Sequence, residues 1–252
     1  MLSPVPDKPS FVRHLFSRVV PRYDLLNTLM TQGRDRRWRL AAARACRLPR
    51  GGSAVDIGTG TGKQAQALLQ QGAGRVMAVD FTQPMLERAR RQFPDPRVAF
   101  LLADGLRLPL PDDSFDAAVS AFVMRNVADI EAAFAEQYRV VRPGGRVVCL
   151  EIALPRSGWF APLFRLYFYR LVPLLGGVIS GHPDAYRYLP HSLDNFPSPA
   201  GLAAIMARAG LKDVRYKLLA GGSVSLHAGL KPARYARPRV RRYRRRTAPG
   251  GT

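Results

Sequence analysis

The chain predicts an α/β fold built on a mostly parallel sheet, and three observations carry that prediction. The first is the stretch Ala54-Val55-Asp56-Ile57-Gly58-Thr59-Gly60-Thr61-Gly62, a short apolar run with an acid near its end, followed by glycines at alternate positions. The second is a pair of later apolar runs that also end in acids: residues 76–79 before Asp80, and residues 98–103 before Asp104-Gly105. The third is the region 213–230, where two runs of strand character flank Gly221-Gly222 and read as an antiparallel hairpin closing the sheet.

Taken in order, residues 1–10 contain prolines and charges but no apolar signal core. Phe11, Val12, Leu15, Phe16, Val19 and Val20 fall at helical spacing until Pro21 stops them. Tyr23-Asp24-Leu25-Leu26-Asn27 follows, then Gly33 and an arginine-rich stretch, Arg34 to Arg39, that leads into an alanine-rich helix ending before Pro49. These segments precede the first strand and can cross its carboxyl edge, so residues 10–48 are read as a helical flap over a ligand. The plainer alternative is packing helices with a solvated basic face.

A buried strand at 54–57, a glycine turn and a helix over 63–71 come next. A strand ends at Asp80, and Gln83-Pro84 opens a helix that Pro94 stops after Phe93. The strand at 98–103 follows, then a fourth at 115–121 and a helix at 130–141. Pro143-Gly144-Gly145 reads as a turn before a fifth strand at 146–153. Residues 159–179 are apolar and aromatic, with Arg165 and Arg170 inside and Pro162 and Pro173 as breaks, too interrupted for a membrane span. They read as amphipathic helices, whose apolar face forms core, a wall of a greasy pocket, or a membrane-surface contact. Ser198-Pro199 starts a further helix that Gly210 ends, and the two hairpin strands complete seven.

Alternating strands and helices place ligands at the carboxyl ends of the strands. Without side chains at Gly58, Gly60 and Gly62, a nucleoside can rest directly on the main chain. The spacing Gly-x-Gly-x-Gly differs from the Gly-x-Gly-x-x-Gly of a dinucleotide pyrophosphate loop, which favours a phosphate-free nucleoside such as S-adenosylmethionine over NAD. Asp80 is placed to accept hydrogen bonds from both ribose hydroxyls, and Asp104 to meet the adenine amino group. Each acid alone is an ordinary loop acid or helix cap; in series with Asp56 they define a nucleoside site.

The chain has 252 residues, 47% of them hydrophobic, enough for one sizeable domain with additions. Its net charge is +21, of which nine basic residues lie from Lys231 onward with no acid, leaving +12 for residues 1–230. Five Lys against thirty-four Arg make a coding bias a fair explanation for part of this excess. The rest favours anionic surfaces or polyanions. Cys46 and Cys149 show neither metal-ligand nor redox-motif spacing, so free thiols in a reducing cytosol are expected. The tail 231–252 has little to bury and reads as disordered.

The order Asp-x-Gly-x-Gly-x-Gly, Asp80, Asp104-Gly105, Pro143-Gly144-Gly145 and a terminal hairpin resembles the class I S-adenosylmethionine-dependent methyltransferases. More narrowly, the chain is similar to the ubiquinone/menaquinone biosynthesis C-methyltransferase family. The narrower likeness rests on Phe-Ser-x-x-x-x-x-Tyr-Asp-x-x-Asn over 16–27, Asp35-Arg36-Arg37-Trp38, Arg125-Asn126-Val127, Tyr138-Arg139-Val140, Asp184-Ala185-Tyr186-Arg187-Tyr188-Leu189, and Gly221-Gly222 to His227. It covers residues 10–230. Two departures stand out: the bulky Phe122-Val123 in a segment where the family usually has glycine and serine, and the arginine-rich tail.

The resemblance implies a Rossmann-like seven-stranded class I methyltransferase sheet, with N-terminal helices and a helical substrate-side insertion at 155–197, in one methyltransferase domain over residues 1–230. It implies S-adenosylmethionine as cofactor, held by Asp56, Gly58, Thr59, Gly60, Thr61, Gly62, Asp80, Phe81, Asp104, Gly105, Ser120 and Ala121. It implies C-methylation of a prenylated quinol, of the demethylmenaquinol-to-menaquinol kind or its ubiquinone-pathway equivalent, without a metal. Arg125 would stabilise the phenolate or assist proton removal through water, Asn126 would orient the ring oxygen, and Tyr23, Phe122, Tyr186 and Tyr188 would wall the site. The expected location is cytoplasmic, with peripheral contact to an anionic membrane; no nucleic acid is expected as partner, and a homodimer is compatible with the sequence. Three alternatives stay open: another lipophilic small molecule, RNA (favoured by charge, although the chain lacks the Asn-Pro-Pro-aromatic motif used for exocyclic amines), and a non-catalytic binding protein.

Overall fold

The computed structural model describes residues 20, 23–155, 159–174, 190 and 192–233. The helix expected over 11–20, Tyr186 and Tyr188, and residues 234–252 of the tail therefore lie outside the described residues, apart from Val20. Seven strands form one sheet: β1 (Ser53–Ile57), β2 (Arg75–Asp80), β3 (Val98–Leu102), β4 (Phe115–Ala121), β5 (Val141–Ile152), β6 (Lys212–Leu219) and β7 (Val224–Leu230), in the order β3-β2-β1-β4-β5-β7-β6. β1 to β5 pair in parallel, β7 runs antiparallel to β5, and β6 antiparallel to β7. Strand order reverses between β1 and β4, and in such sheets that switch point is where ligands settle.

The helices are α1 (Asp35–Ala45), α2 (Lys63–Gln70), α3 (Gln83–Gln92), α4 (Ile130–Val140), α5 (Phe160–Leu166) and α6 (Pro199–Arg208). Asp129 caps α4 by accepting from Ala132 N at 3.0 Å, and Ser198 caps α6 by accepting from Gly201 N at 3.1 Å. β1 is buried at all five positions, as expected for a strand covered on both faces. Its alternate residues serve two cores: Ala54 joins Ala42, Ala65, Leu68 and Val148, whereas Val55 and Ile57 join Phe134, Cys149, Leu202 and Met206. Alanines at 42, 43, 54, 65, 78 and 117 on the first face let α1 and α2 approach the sheet closely. The exposed edge strand β6 carries Lys212, Arg215 and Lys217, which discourage pairing with another sheet.

Three readings change in the structure. The Pro143-Gly144-Gly145 turn does not precede β5 but bulges within it, since Phe115 pairs with Val141 and Ala117 with Arg146. Backbone bonds with Lys231 hold the bulge, Gly144 N to Lys231 O at 2.8 Å and Lys231 N to Gly145 O at 2.9 Å. Lys231, the first residue assigned to the tail, is thus part of the fold: it is buried, and its Nζ donates to Asp113 Oδ1 at 2.6 Å and to Tyr138 O at 2.8 Å. Finally, Pro162 and Pro173 do not break the 159–174 stretch. Helix α5 continues through a π-helical turn at Tyr167–Leu171 into helical residues 172–174. Pro162 sits in the first turn, where no intrahelical N–H is required, and the wider turn precedes Pro173.

Candidate active site

The loop after β1 turns on glycines in the left-handed region, with φ of +68° at Gly58 and +55° at Gly60. A side chain at 58 would collide with Val123, whereas nothing stands within 4 Å of where a Cβ at 60 would be. Gly58 therefore lets the loop after β4 close in, and Gly60 leaves its open face to a ligand. Two carboxylates hold this loop. Asp80 accepts from Gly60 N at 2.8 Å through Oδ2 and from Thr82 N at 2.9 Å through Oδ1, tying the ends of β1 and β2 together. Burial raises its pKa, against the stabilising pull of those backbone donors. Asp56, wholly buried, accepts from Thr59 Oγ1 at 2.6 Å, and its other oxygen has no hydrogen-bond partner among the described residues. Burial pushes its carboxyl up to about 6, opposed by Thr59.

A cavity of about 270 Å³ opens over the carboxyl ends of β3, β2, β1 and β4. Gly58, Thr59, Gly60, Thr61, Asp80, Phe81, Asp104, Gly105 and Ala121 all line it. Asp56, Gly62 and Ser120 do not. Asp56 and Ser120 belong to strands and are fully buried within the sheet, and Gly62 turns towards Phe93 as the chain enters α2. Asp56 supports the loop from within the sheet through Thr59, and Gly62 borders a separate hollow with Phe93 and Phe100.

The flap lies over this edge through one clasp. Asp24, in a helical segment at 23–31, accepts from Thr61 Oγ1 at 2.8 Å and from Gln92 Nε2 at 3.2 Å, and pairs with Lys63 at 3.2 Å and Arg88 at 3.5 Å. Burial opposes its ionisation, but Thr61 and Lys63 outweigh it and hold the carboxyl below its usual range. Across from the clasp, Tyr167 Oη donates to Met30 O at 2.7 Å, joining the flap to the 160–174 insertion. Between flap and insertion lies a second cavity of about 470 Å³, lined mainly by apolar and aromatic groups including Trp38, Phe164, Tyr167, Phe168 and Val172.

Tyr23, Arg39 and Phe122 line both cavities and form the wall between them. Phe122 adopts φ +65°, a conformation glycine takes without cost, and is held there by its N–H to Leu150 O at 2.7 Å. Its ring meets Trp38 edge-on at 6.5 Å and carries the Arg39 guanidinium at 5.2 Å. Arg125, on the short 3₁₀ turn Met124–Asn126, is buried against the carboxylate of Glu151 and lines the apolar cavity. Asn126 lines the nucleoside-sized one instead. In a 3₁₀ turn successive residues point about 120° apart, so adjacent residues serve different cavities. Sequence reasoning passed over Arg39 and the clasp role of Asp24. The i,i+4 spacing of Asp35 and Arg39 beside Trp38 was an available signal for the first.

A glycine loop against an acid-tipped second strand, at the switch point of a β3-β2-β1-β4-β5-β7-β6 sheet, defines a class I methyltransferase fold. Solved structures agree on the fold: a SAM-dependent methyltransferase of Thermotoga maritima superimposes with a TM-score of 0.62 at 22% identity, covering 86% of this chain and 98% of that one. The chain belongs to the ubiE/COQ5 methyltransferase family, whose model matches residues 5–231. It is accordingly a methyltransferase. Among its relatives are the demethylmenaquinone methyltransferases of Roseiflexus castenholzii, 44% identical over 92% of this chain and 98% of the relative, and of Thermus thermophilus, 47% identical over 86% and 100%.

The raised pKa of Asp56 has a measurable consequence. Because the folded state holds the proton more tightly than the unfolded chain, the contribution of Asp56 to stability is full below about pH 4 and is lost as pH rises through about 6. Denaturant unfolding across that window is expected to show wild type losing stability relative to Asp56→Asn, by on the order of 3 kcal/mol in total. A constant difference between the two proteins would show that Asp56 ionises normally.

Proposed function

We propose that this protein methylates a ring carbon of a prenylated quinol with S-adenosylmethionine, in the reaction type that converts demethylmenaquinol to menaquinol. The observation that carries this reading is the pair of cavities with a common wall: a nucleoside-sized one on the glycine loop and a larger apolar one beneath the flap. The names of the relatives favour the menaquinone pathway over the ubiquinone one.

The residues present fit the cofactor. Gly60 offers an open backbone face, Asp80 keeps lone pairs for the ribose hydroxyls, and Phe81, Asp104 and Gly105 line the remainder of the nucleoside end. Bound there, S-adenosylmethionine supplies an electrophilic methyl group that needs only an aligned nucleophile. On the other side of the wall, Arg125 holds its charge beside Glu151 and offers guanidinium N–H groups to a phenolic oxygen. Loss of the phenolic proton to water, with the resulting phenolate held by Arg125, would push electron density onto the neighbouring ring carbon; that carbon would take the methyl as its bond to sulfur breaks, leaving S-adenosylhomocysteine, and then lose its own proton as the oxygen is reprotonated, which restores the aromatic quinol. Phe122, Trp38 and Phe168 exclude water from the ring, so the charge of Arg125 acts at low dielectric.

The assay is transfer of labelled methyl to demethylmenaquinol, compared with total RNA as acceptor. Label entering RNA and not quinol would remove the reading. Asp80→Ala should weaken cofactor binding by about 2 kcal/mol in calorimetry, since charge-assisted hydrogen bonds are lost. Arg125→Lys keeps the charge but not the planar fork, so turnover should drop at least about fivefold while cofactor affinity stays nearly constant. Turnover retained within about twofold would exclude Arg125 from the reaction.

A prenylated quinol stays in the bilayer, which calls for peripheral contact with a membrane. The described residues contain no helix long and apolar enough to cross one. Supporting contact, Trp159, Leu163, Leu166 and Leu174 are exposed on the insertion beside Arg165 and Arg170, and Leu163 also lines the apolar cavity. Co-sedimentation with phosphatidylserine vesicles should fall at high salt and after deletion of residues 232–252, each basic residue contributing roughly 1 kcal/mol. The deletion spares the buried Lys231 and should leave methylation of a short-chain quinol analogue unchanged. Equal vesicle binding by both proteins would show the tail to be idle.

A further inference from the structure

Among the described residues Arg39 meets a carboxylate only at the outer limit of an ion pair. The residue is 8% exposed, its Nε is buried without a hydrogen-bond partner among the described residues, and the carboxylate of Asp35 stands 4.0 Å from that nitrogen. Asp35 is shared with Lys63 at 3.5 Å, and the other partner of Lys63, Asp24, is shared with Arg88. The charge of Arg39 also reaches the buried carboxyl of Asp56, which accepts from Thr59, and among the described residues Asp35 is its ion-pair partner. A buried guanidinium with donors unmet is costly unless an anion arrives to take them.

The layout of the sheet edge indicates which anion. Strands in the order β3-β2-β1-β4 present, at their carboxyl ends, Asp104, then Asp80, then Gly58 to Gly60, then Phe122, and the Arg39 guanidinium lies over the Phe122 ring. Three strand spacings separate the first from the last, about 14 Å. Gln64 Nε2 donates to Arg39 O at 3.3 Å, which registers α1 on the helix that follows the glycine loop. A nucleoside seated on Asp104 and Asp80 and extended past the loop brings its far end to Arg39.

We infer that Arg39 is the anchor for the carboxylate at the amino-acid end of the cofactor. The inference rests on the proposed cofactor. A guanidinium clamps a carboxylate through two parallel N–H bonds, and the Phe122 ring beneath keeps the plane of the fork fixed. Placed in the wall between the cavities, this anchor sets how far the cofactor reaches towards the apolar cavity, and so makes Arg39 a positioning residue for the transferred group.

Calorimetry with two ligands isolates the contact. S-Adenosylhomocysteine carries the amino-acid carboxylate; 5′-methylthioadenosine has the same nucleoside and thioether without it. Arg39→Ala should weaken S-adenosylhomocysteine about 10- to 100-fold and leave methylthioadenosine within about twofold, with Arg39→Lys recovering part of the loss. Thermal melting of each variant establishes that it is folded. Equal weakening of both ligands would overturn the inference by making Arg39 a general support of the wall. Unchanged S-adenosylhomocysteine affinity would overturn it as well, and a raised quinol KM in that case would give Arg39 to the substrate oxygen. If wild type binds neither nucleoside, the cofactor reading itself falls.

Discussion

The site depends on one buried carboxylate that does two jobs. Asp80 ends β2 and accepts the N–H groups of Gly60 and Thr82, so it pins the glycine loop against the neighbouring strand while still facing the cavity. A glycine-rich loop has much conformational entropy to lose, and its glycines offer no side chains with which to hold it. The fixed acceptor, reinforced by Asp56 and Thr59 from below, gives it a single shape. Val123 then closes over Gly58 because no Cβ intervenes. Binding surface and loop architecture are therefore the same set of hydrogen bonds.

The charges around the flap follow the same economy. Lys63 opens α2 and is met by Asp24 from the flap and Asp35 from α1, so helix, flap and loop are linked through ionic contacts that are partly shielded from water. Such pairs are screened by salt less than exposed ones, and removing one partner leaves the others uncompensated. Arg125 and Glu151 form a second, fully buried pair on the far side of the dividing wall. Its carboxylate also accepts from Ile152 N at 2.8 Å, which fixes the arginine to β5 and to the sheet rather than to a loop.

The apolar cavity is built differently, from long-range packing alone. Its walls come from the 23–31 segment, α1, the 160–174 insertion and the sheet edge at Ile152 and Val224, and a Tyr167 to Met30 hydrogen bond joins the insertion to the flap. The π-helical turn at Tyr167–Leu171 spaces the aromatic groups, so Phe164 and Phe168 stack at 5.4 Å while Tyr167 points to the flap. Aromatic and aliphatic groups make up most of the lining, with Arg39 in the dividing wall and Asn27, Thr31, Gln32, Arg34 and Asp35 contributed by the flap and α1.

The strands, their order of appearance, the glycine loop, Asp80 and Asp104 were legible in the sequence because each is a local signal: apolar runs of fixed length, glycines at alternate positions, acids at strand ends. The helix start at Ser198 was legible for the same reason, since a cap is a contact within four residues. The Pro143–Gly145 bulge, the burial of Lys231 and the continuity of the helix through Pro173 were not, because each is decided by a partner distant in sequence or by the geometry of a whole turn. The division between Arg125 and Asn126, adjacent in sequence yet facing different cavities, needed the 3₁₀ turn to be seen. Arg39 is the clearest case. Its sequence neighbourhood marks a solvated basic helix, and it is packing in the folded chain, including the approach of Phe122 from the end of β4 more than eighty residues away, that buries its charge. Local pattern determined the frame and the glycine loop with its strand-end acids; tertiary packing decided which charges were buried and how they pair, because burial and charge balance are properties of the assembled chain.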